Sequence, residues 1–303
     1  MRPVSIIGVP TDFGANRRGV DMGPSAIRYG GLYEGLDAAG VEWRDEGDLR
    51  TPRIATAGPR EASHGRIRHL EETAEVCSRL AERAGSAFED GHVPLVLGGD
   101  HSIAIGTVGA SAQVGPLGAI WFDAHADFNT PATSPSGNIH GMPLAAVLGH
   151  GEFRERAWAY APNLREDRVA LVGLRDVDET EAGPLRDSDV TVFTMTDIDR
   201  RGMLAVVEDA IAVATGGGDG AIHVSLDLDW LDPNEAPGVG TRVRGGVSYR
   251  EAHTAMESLA EVVADDGLRS MELVEVNPIL DRSNETARLA VELAASAFGK
   301  RIL

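Results

Sequence analysis

Short apolar runs recur along the chain, and each gives way to a polar or glycine-rich stretch and then to a segment of helical length. Residues 4–9, 41–45, 93–97, 117–122, 168–172, 190–193, 222–226 and 270–276 read as strands. A helix opens near Pro24, where proline suits the first turn. A longer one spans 63–88, in which Ile67, Leu70, Ala74, Cys77, Ala81, Ala84 and Phe88 recur at three- and four-residue steps. Further helices are expected at 143–148, 203–214, 248–264 and 284–298, with Thr196 or Asp197 capping a turn after the 190–193 strand. Residues 230–247 read as a long irregular loop. Strands alternating with helices make an α/β protein with a largely parallel sheet covered by helices. The strand count does not by itself separate an open three-layer sheet from a closed barrel; both place ligands at the carboxyl ends of strands.

Length and composition narrow the class. The 303 residues, 43% of them hydrophobic, suit one large α/β domain over 1–303, with no short repeat or low-complexity tract. No apolar run reaches 18 residues, so no membrane span is expected. The opening MRPVSIIGVPTDFG passes straight into the first strand, which argues against a signal peptide. The single cysteine, Cys77, excludes an intrachain disulfide framework and reads as a core residue; the cytoplasm is the expected compartment. A net charge of −19 argues against nucleic acid or an anionic membrane as partner. Lys300 is the only lysine among 28 basic residues, a bias that suits high salt and GC-rich coding equally.

Polar clusters sit where the apolar runs end. After 117–122 come Asp123, His125 and Asp127, and alternate side chains of an extended chain point the same way. Two carboxylates and an imidazole beside a core strand call for a cation, because buried charges are paired or bind metal. His101 follows the 93–97 strand, and Asp227 and Asp229 follow 222–226, again two apart. Two histidines with four carboxylates are too many for one zinc. An oxygen-rich set with a little imidazole suits Mn²⁺, and shared carboxylates suit two ions. Downstream of the first cluster lie Asn129, Ser136, Asn138 and His140, on a loop rich in Pro, Gly and Ser.

The motifs GGDHS (98–102), DAHADFNTP (123–131), SGNIHG (136–141), GLRDVD (173–178), SLDLDWLDP (225–233), GTRVRGGVSYRE (240–251) and EVNP (275–278) resemble those of the ureohydrolases, and most of all the arginases. RRGVDMGPSAIRY (17–29) shares the resemblance, which runs in order along essentially the whole chain. It implies an α/β fold of three layers, an αβα sandwich with a central, mostly parallel eight-stranded sheet. It also implies two Mn²⁺ ions per subunit and a homo-trimer or homo-hexamer. One ion would be held by His101, Asp123, Asp127 and Asp227, and the other by His125, Asp123, Asp227 and Asp229. The implied reaction is hydrolysis of L-arginine to L-ornithine and urea. In it Asp127 orients the attacking hydroxide, and His140, a group titrating near neutrality, shuttles a proton. Glu275 faces the guanidinium and Thr241 lines the same pocket.

At the other end of the substrate the resemblance assigns Asn129, Ser136 and Asn138 to the α-carboxylate. It assigns Asp178, helped by Glu181, to the α-ammonium. Three positions depart from the arginase pattern: Arg242, expected to add a cation near the pocket, Pro135 and Met142. Competing readings are an agmatinase or other guanidino-acid hydrolase, a catalytically inactive arginine sensor, and a one-ion zinc deacetylase of related fold.

Overall fold

A computed structural model describes residues 1–52 and 67–301. The strands are β1 (Val4–Val9), β2 (Trp43–Asp48), β3 (Val93–Gly98), β4 (Leu117–Phe122), β5 (Leu164–Leu174), β6 (Thr191–Thr194), β7 (Ile222–Asp227) and β8 (Leu268–Val274). They form one eight-stranded sheet in the order β2-β1-β3-β8-β7-β4-β5-β6. Every pairing is parallel. All carboxyl ends therefore lie along one edge. β1, β3, β4 and β7 are buried at every residue, as expected of strands covered on both faces.

The helices are α1 (Gly23–Tyr29), α2 (Leu32–Ala38), α3 (Leu70–Glu89), α4 (Ala104–Gln113), α5 (Pro143–Leu148), α6 (Glu179–Asp187), α7 (Met195–Arg201), α8 (Met203–Thr215), α9 (Tyr249–Ala264) and α10 (Glu285–Ala297). Residues of α1, α2 and α7 to α10 share one apolar core with the sheet, and those of α3 to α5 pack in cores on the opposite face. The result is a three-layer αβα sandwich, which settles the choice between open sheet and barrel. Close contact between layers depends on missing side chains. A Cβ at Gly118 would lie 1.9 Å from the Ala214 carbonyl oxygen, so only glycine lets the end of α8 rest on β4.

Several element boundaries differ from the sequence reading. The first residues of the expected 63–88 helix lie outside the described residues; α3 begins at Leu70. β5 starts four residues early, in the polar segment LREDR, whose main chain still pairs with β4 at Leu117. Thr194 rather than Thr196 caps α7: it accepts from Asp197 N, and Asp197 accepts from Thr194 N in return, a capping box. Cys77 is buried as expected, and burial pushes its thiol up. No helix among the described residues is long and apolar enough to cross a membrane.

Candidate metal centre

Four adjacent strands in the middle of the sheet, β3, β8, β7 and β4, deliver the polar clusters. Their following helices lie on opposite faces: α4 and α5 on one, α9 and α10 on the other. That divergence opens a crevice at the strand ends, the usual ligand site of an open α/β sheet. Past β3, Gly99 passes close under the Thr11 carbonyl oxygen, which a Cβ would approach to 2.5 Å. Asp100 then accepts from Ser102 N at 3.0 Å and from Gly14 N at 2.9 Å, starting the short helical turn that presents His101. Past β4, Asp123 Oδ1 accepts from His125 N at 2.7 Å, and past β7, Asp227 Oδ1 accepts from Asp229 N at 2.7 Å. In both, an aspartate closes a turn over the second ligand two residues on. Asp127 and Glu275 take left-handed backbone angles, φ 50° and 64°. Both are non-glycine residues held in a sparsely populated region, a cost met mostly at functional sites.

The turns bring the six expected ligands together. His101 Nδ1 lies 3.2 Å from Asp123 Oδ2, 3.0 Å from Asp127 Oδ2 and 3.1 Å from Asp227 Oδ2. His125 Nδ1 lies 3.4 Å from Asp123 Oδ1 and 3.1 Å from Asp229 Oδ2. Two groups with ligand atoms within 4.8 Å of one another result, His101–Asp123–Asp227 and Asp123–His125–Asp229, and Asp123 belongs to both. His101 Nδ1 and Asp127 Oδ2 are buried and make no well-formed hydrogen bond. Two orphaned polar atoms pointing into a carboxylate cluster fit a bound cation.

Electrostatics point the same way. Burial disfavours charge on His101 and His125, yet the facing carboxylates raise both imidazoles well above their ordinary range. Burial and the neighbouring Asp229 and Asp123 charges raise Asp227 well above the carboxylate range. Burial and Asp123 raise Asp127 to about 6. Asp123 is held low despite its burial, by His101 and His125. The cluster thus carries more negative charge than its own protons offset comfortably, which divalent ions relieve.

A cavity of about 130 Å³ opens over these groups. Its wall includes Asn129, Ser136, Asn138, His140, Asp178, Glu181 and Thr241 beside His101, His125, Asp127, Asp227 and Asp229. Asp123 and Glu275 lie behind that wall. Glu275 Oε1 accepts from His101 N at 3.0 Å and pairs with His140 Nδ1 at 3.1 Å. Burial opposes the charged His140, but Glu275 outweighs it and raises the imidazole to about 9, above the near-neutral value expected. Asn129 Nδ2 donates to Asp178 Oδ2 at 2.8 Å, and Ser136 Oγ accepts from Asn138 N at 3.2 Å. Glu181 accepts from Phe128 N and Asp178 N, each at 3.1 Å, and burial with the Asp127 charge raises it to about 7. Thr241 Oγ1 donates to Asp229 Oδ2 at 2.7 Å.

Arg242 corrects an expectation. It is exposed, and its guanidinium binds the carbonyls of Pro237 and Leu280 (2.9 Å to the latter) instead of facing the cavity. Pro135 is exposed and Met142 is fully buried in the core under α5, so neither departure touches the cavity. Sequence reasoning missed Ser134, which does line it. It also missed a buried polar chain beneath His101. His101 Nε2 pairs with Ser225 Oγ at 2.7 Å, and Ser225 donates to Glu272 Oε1 at 2.9 Å. The available signal was a polar residue at every second position of two apolar strands, His223 and Ser225 on β7, Ser270 and Glu272 on β8.

Comparison with known proteins places these features in a family. The family model described as "Arginase family" matches residues 2–299. The arginase of Bacillus caldovelox is 48% identical over 305 residues, covering 100% of both chains. The solved native structure of arginase from that organism has a TM-score of 0.93, with 100% of each chain covered. The arginase of Brevibacillus brevis is 49% identical over 302 residues, 99% of each. The solved Entamoeba histolytica arginase, in complex with L-ornithine, is 31% identical with a TM-score of 0.86, covering 98% of this chain and 99% of that one.

Proposed function

The chain belongs to the arginase family of hydrolases, and we propose that it cleaves L-arginine to L-ornithine and urea at a centre of two Mn²⁺ ions. The observation that supports this most is the adjacency, around one cavity, of an Asp123-centred double ligand set and the Asn129–Asp178 pair. Agmatine keeps the terminal ammonium but has no α-carboxylate for Asn129 to read. The relative solved with L-ornithine binds a compound that has both.

His101, Asp123, Asp127 and Asp227 would hold one ion, and His125, Asp123, Asp227 and Asp229 the other. Two divalent ions there supply the Lewis acidity that makes water nucleophilic near neutral pH. Asp127 orients the attacking water by accepting its hydrogen. The water oxygen bonds to the guanidinium carbon, and the bond from that carbon to the ornithine nitrogen breaks. His140, kept protonated at pH 7 by Glu275, gives its proton to the departing amine and regains one from bulk water. Glu275 thereby sets the charge of the acid and offers a carboxylate toward the guanidinium. Asn129, Ser136 and Asn138 donate to the α-carboxylate, Asp178 takes the α-ammonium, and Glu181 braces Asp178 through its main chain. Thr241 steadies Asp229. The unit is residues 1–303, assembled as a homo-trimer or homo-hexamer.

The test is urea release from arginine, agmatine and 4-guanidinobutyrate, measured side by side after chelation and Mn²⁺ add-back. Arginine should be the best substrate. If it is the poorest, another guanidino hydrolase is the better reading; if no urea appears with any of them, the chain binds without catalysing.

A further inference from the structure

An asparagine side chain reads a carboxylate only if its NH₂ end faces it, because the carbonyl end repels the same group. Asn129 therefore needs something to fix which way its amide points. Its NH₂ end already donates to Asp178 Oδ2 at 2.8 Å, which spends one of two N–H bonds. Its carbonyl, Oδ1, accepts from Thr133 Oγ1 at 3.0 Å. The Thr133 hydroxyl has a single proton, and Asn129 Oδ1 at 3.0 Å is nearer to it than Thr130 Oγ1 at 3.3 Å or the Thr130 carbonyl at 3.4 Å, while its oxygen accepts from Thr130 N at 2.8 Å. The Thr133 carbonyl accepts from Thr180 Oγ1 at 3.0 Å, which ties this turn to the first turn of α6, where Asp178 is the N-cap. Thr133 itself is half-buried and does not line the cavity.

We propose that Thr133 is a positioning residue for substrate specificity. Its hydroxyl locks the Asn129 amide with the NH₂ end toward Asp178 and the cavity, so that a donor and an acceptor stand side by side for an α-amino acid. This rests on the reading of the Asn129–Asp178 pair given above. Removing the hydroxyl takes away one of the two hydrogen bonds that hold the Asn129 amide and leaves the one to Asp178, so the amide swings more widely and presents its NH₂ less often to the substrate carboxylate. The loss falls on binding of the amino-acid end, not on the metal centre or on the broken bond.

The experiment compares wild type, Thr133→Val (which keeps the shape and loses the hydroxyl) and Thr133→Ser (which keeps the hydroxyl) in the Mn²⁺-loaded protein. Thr133→Val should raise KM for arginine, and the inhibition constant of ornithine, by about three- to tenfold, the range for one neutral hydrogen bond. The kcat and metal content should not change, and inhibition by 1,4-diaminobutane, which lacks the carboxylate, should be unaltered. Thr133→Ser should restore the wild-type values. An unchanged KM in Thr133→Val, a KM that Thr133→Ser does not restore, or an equal loss for 1,4-diaminobutane overturns the assignment of Thr133. If wild type binds ornithine no better than 1,4-diaminobutane, the reading of the Asn129–Asp178 pair fails first and takes this one with it.

Discussion

Replacing Asp227 by asparagine should remove metal binding and yet make the metal-free chain more stable. Asp227 is 3% exposed. Burial and the Asp229 and Asp123 charges push its carboxyl well above the ordinary range. Each pH unit over which the folded carboxyl keeps a proton that the unfolded one has given up costs about 1.4 kcal/mol of stability. Asparagine is neutral both folded and unfolded and avoids that cost. Its carbonyl can still accept from Asp229 N, now bonded at 2.7 Å. Its NH₂ replaces the Oδ2 that faces His101 Nδ1 at 3.1 Å, which gives up that charge attraction. A net gain worth one such unit, about 1.4 kcal/mol, raises Tm by about 2 °C for a chain of this length. A raised carboxylate pKa leaves stability intact below the unfolded value and erodes it as pH climbs toward the folded one. The two proteins should therefore melt together near pH 4 and diverge toward pH 7. Scanning calorimetry in chelator at both pH values, followed by Mn²⁺ titration, measures this. Should Asp227→Asn melt below wild type in chelator at pH 7, or gain as much as wild type from Mn²⁺, the electrostatic account of the centre is wrong.

Asp178→Ala should retain both metals and raise KM for arginine by about tenfold to a hundredfold, the range for a hydrogen bond to a charged group. Metal analysis beside steady-state kinetics checks it, and metal loss equal to that of Asp227→Ala would mean the roles are misassigned. Glu275→Gln removes the charge that raises His140 to about 9. The alkaline limb of the pH–rate profile should then move toward neutrality, and an unmoved limb would exclude His140 as the proton donor. Met142→Ala, at a fully buried position, should cost about 2–5 kcal/mol in guanidinium chloride unfolding. It should leave kcat of the folded enzyme unchanged, and a large fall in kcat would place Met142 in the site instead.

How much was legible depended on whether a residue's environment is written in its own neighbourhood. Strands covered on both faces are apolar throughout, so β1 and β4 were legible to the residue. β2, at the sheet's edge, is polar, and it begins two residues later than its local pattern suggests. α4 was missed because it is buried almost all round and shows no amphipathic stripe. α6 was missed because it is polar and carries Pro184 inside it. The choice between open sheet and barrel lay in strand order, which no local pattern encodes. At the site, the metal-type ligands stood out because their spacing is short and their chemistry unusual for strand ends. Ser134 did not, since a serine beside a proline reads as an ordinary turn. Arg242 misled because a cation one residue from Thr241 is near in sequence, while its guanidinium points to the carbonyls of Pro237 and Leu280.

Gathering four carboxylates in a buried crevice is costly without compensation nearby, and beyond His101 and His125 the chain places that compensation in its main chain and in one arginine. Main-chain N–H groups of His125 and Asp229 each satisfy one oxygen of the aspartate two residues back. Both bonds are made by protein atoms alone. Arg175 adds a charge that never leaves. Its guanidinium donates to the carbonyls of Asp229 at 2.7 Å, Trp230 at 3.0 Å, Leu231 at 3.2 Å and Val243 at 3.0 Å. Burial lowers its pKa, while the surrounding Asp229 and Asp123 charges hold it up. An arginine can do this because its planar fork keeps several donors in fixed directions while it stays ionised; a lysine would offer one compact charge and a mobile stem. The same contacts pin both ends of the 230–247 loop, and that loop carries Thr241 back onto Asp229. One side chain thus offsets part of the cluster's charge and shapes one wall of the cavity. The irregular loop that reads from sequence as mere connection is, for this reason, a built part of the site.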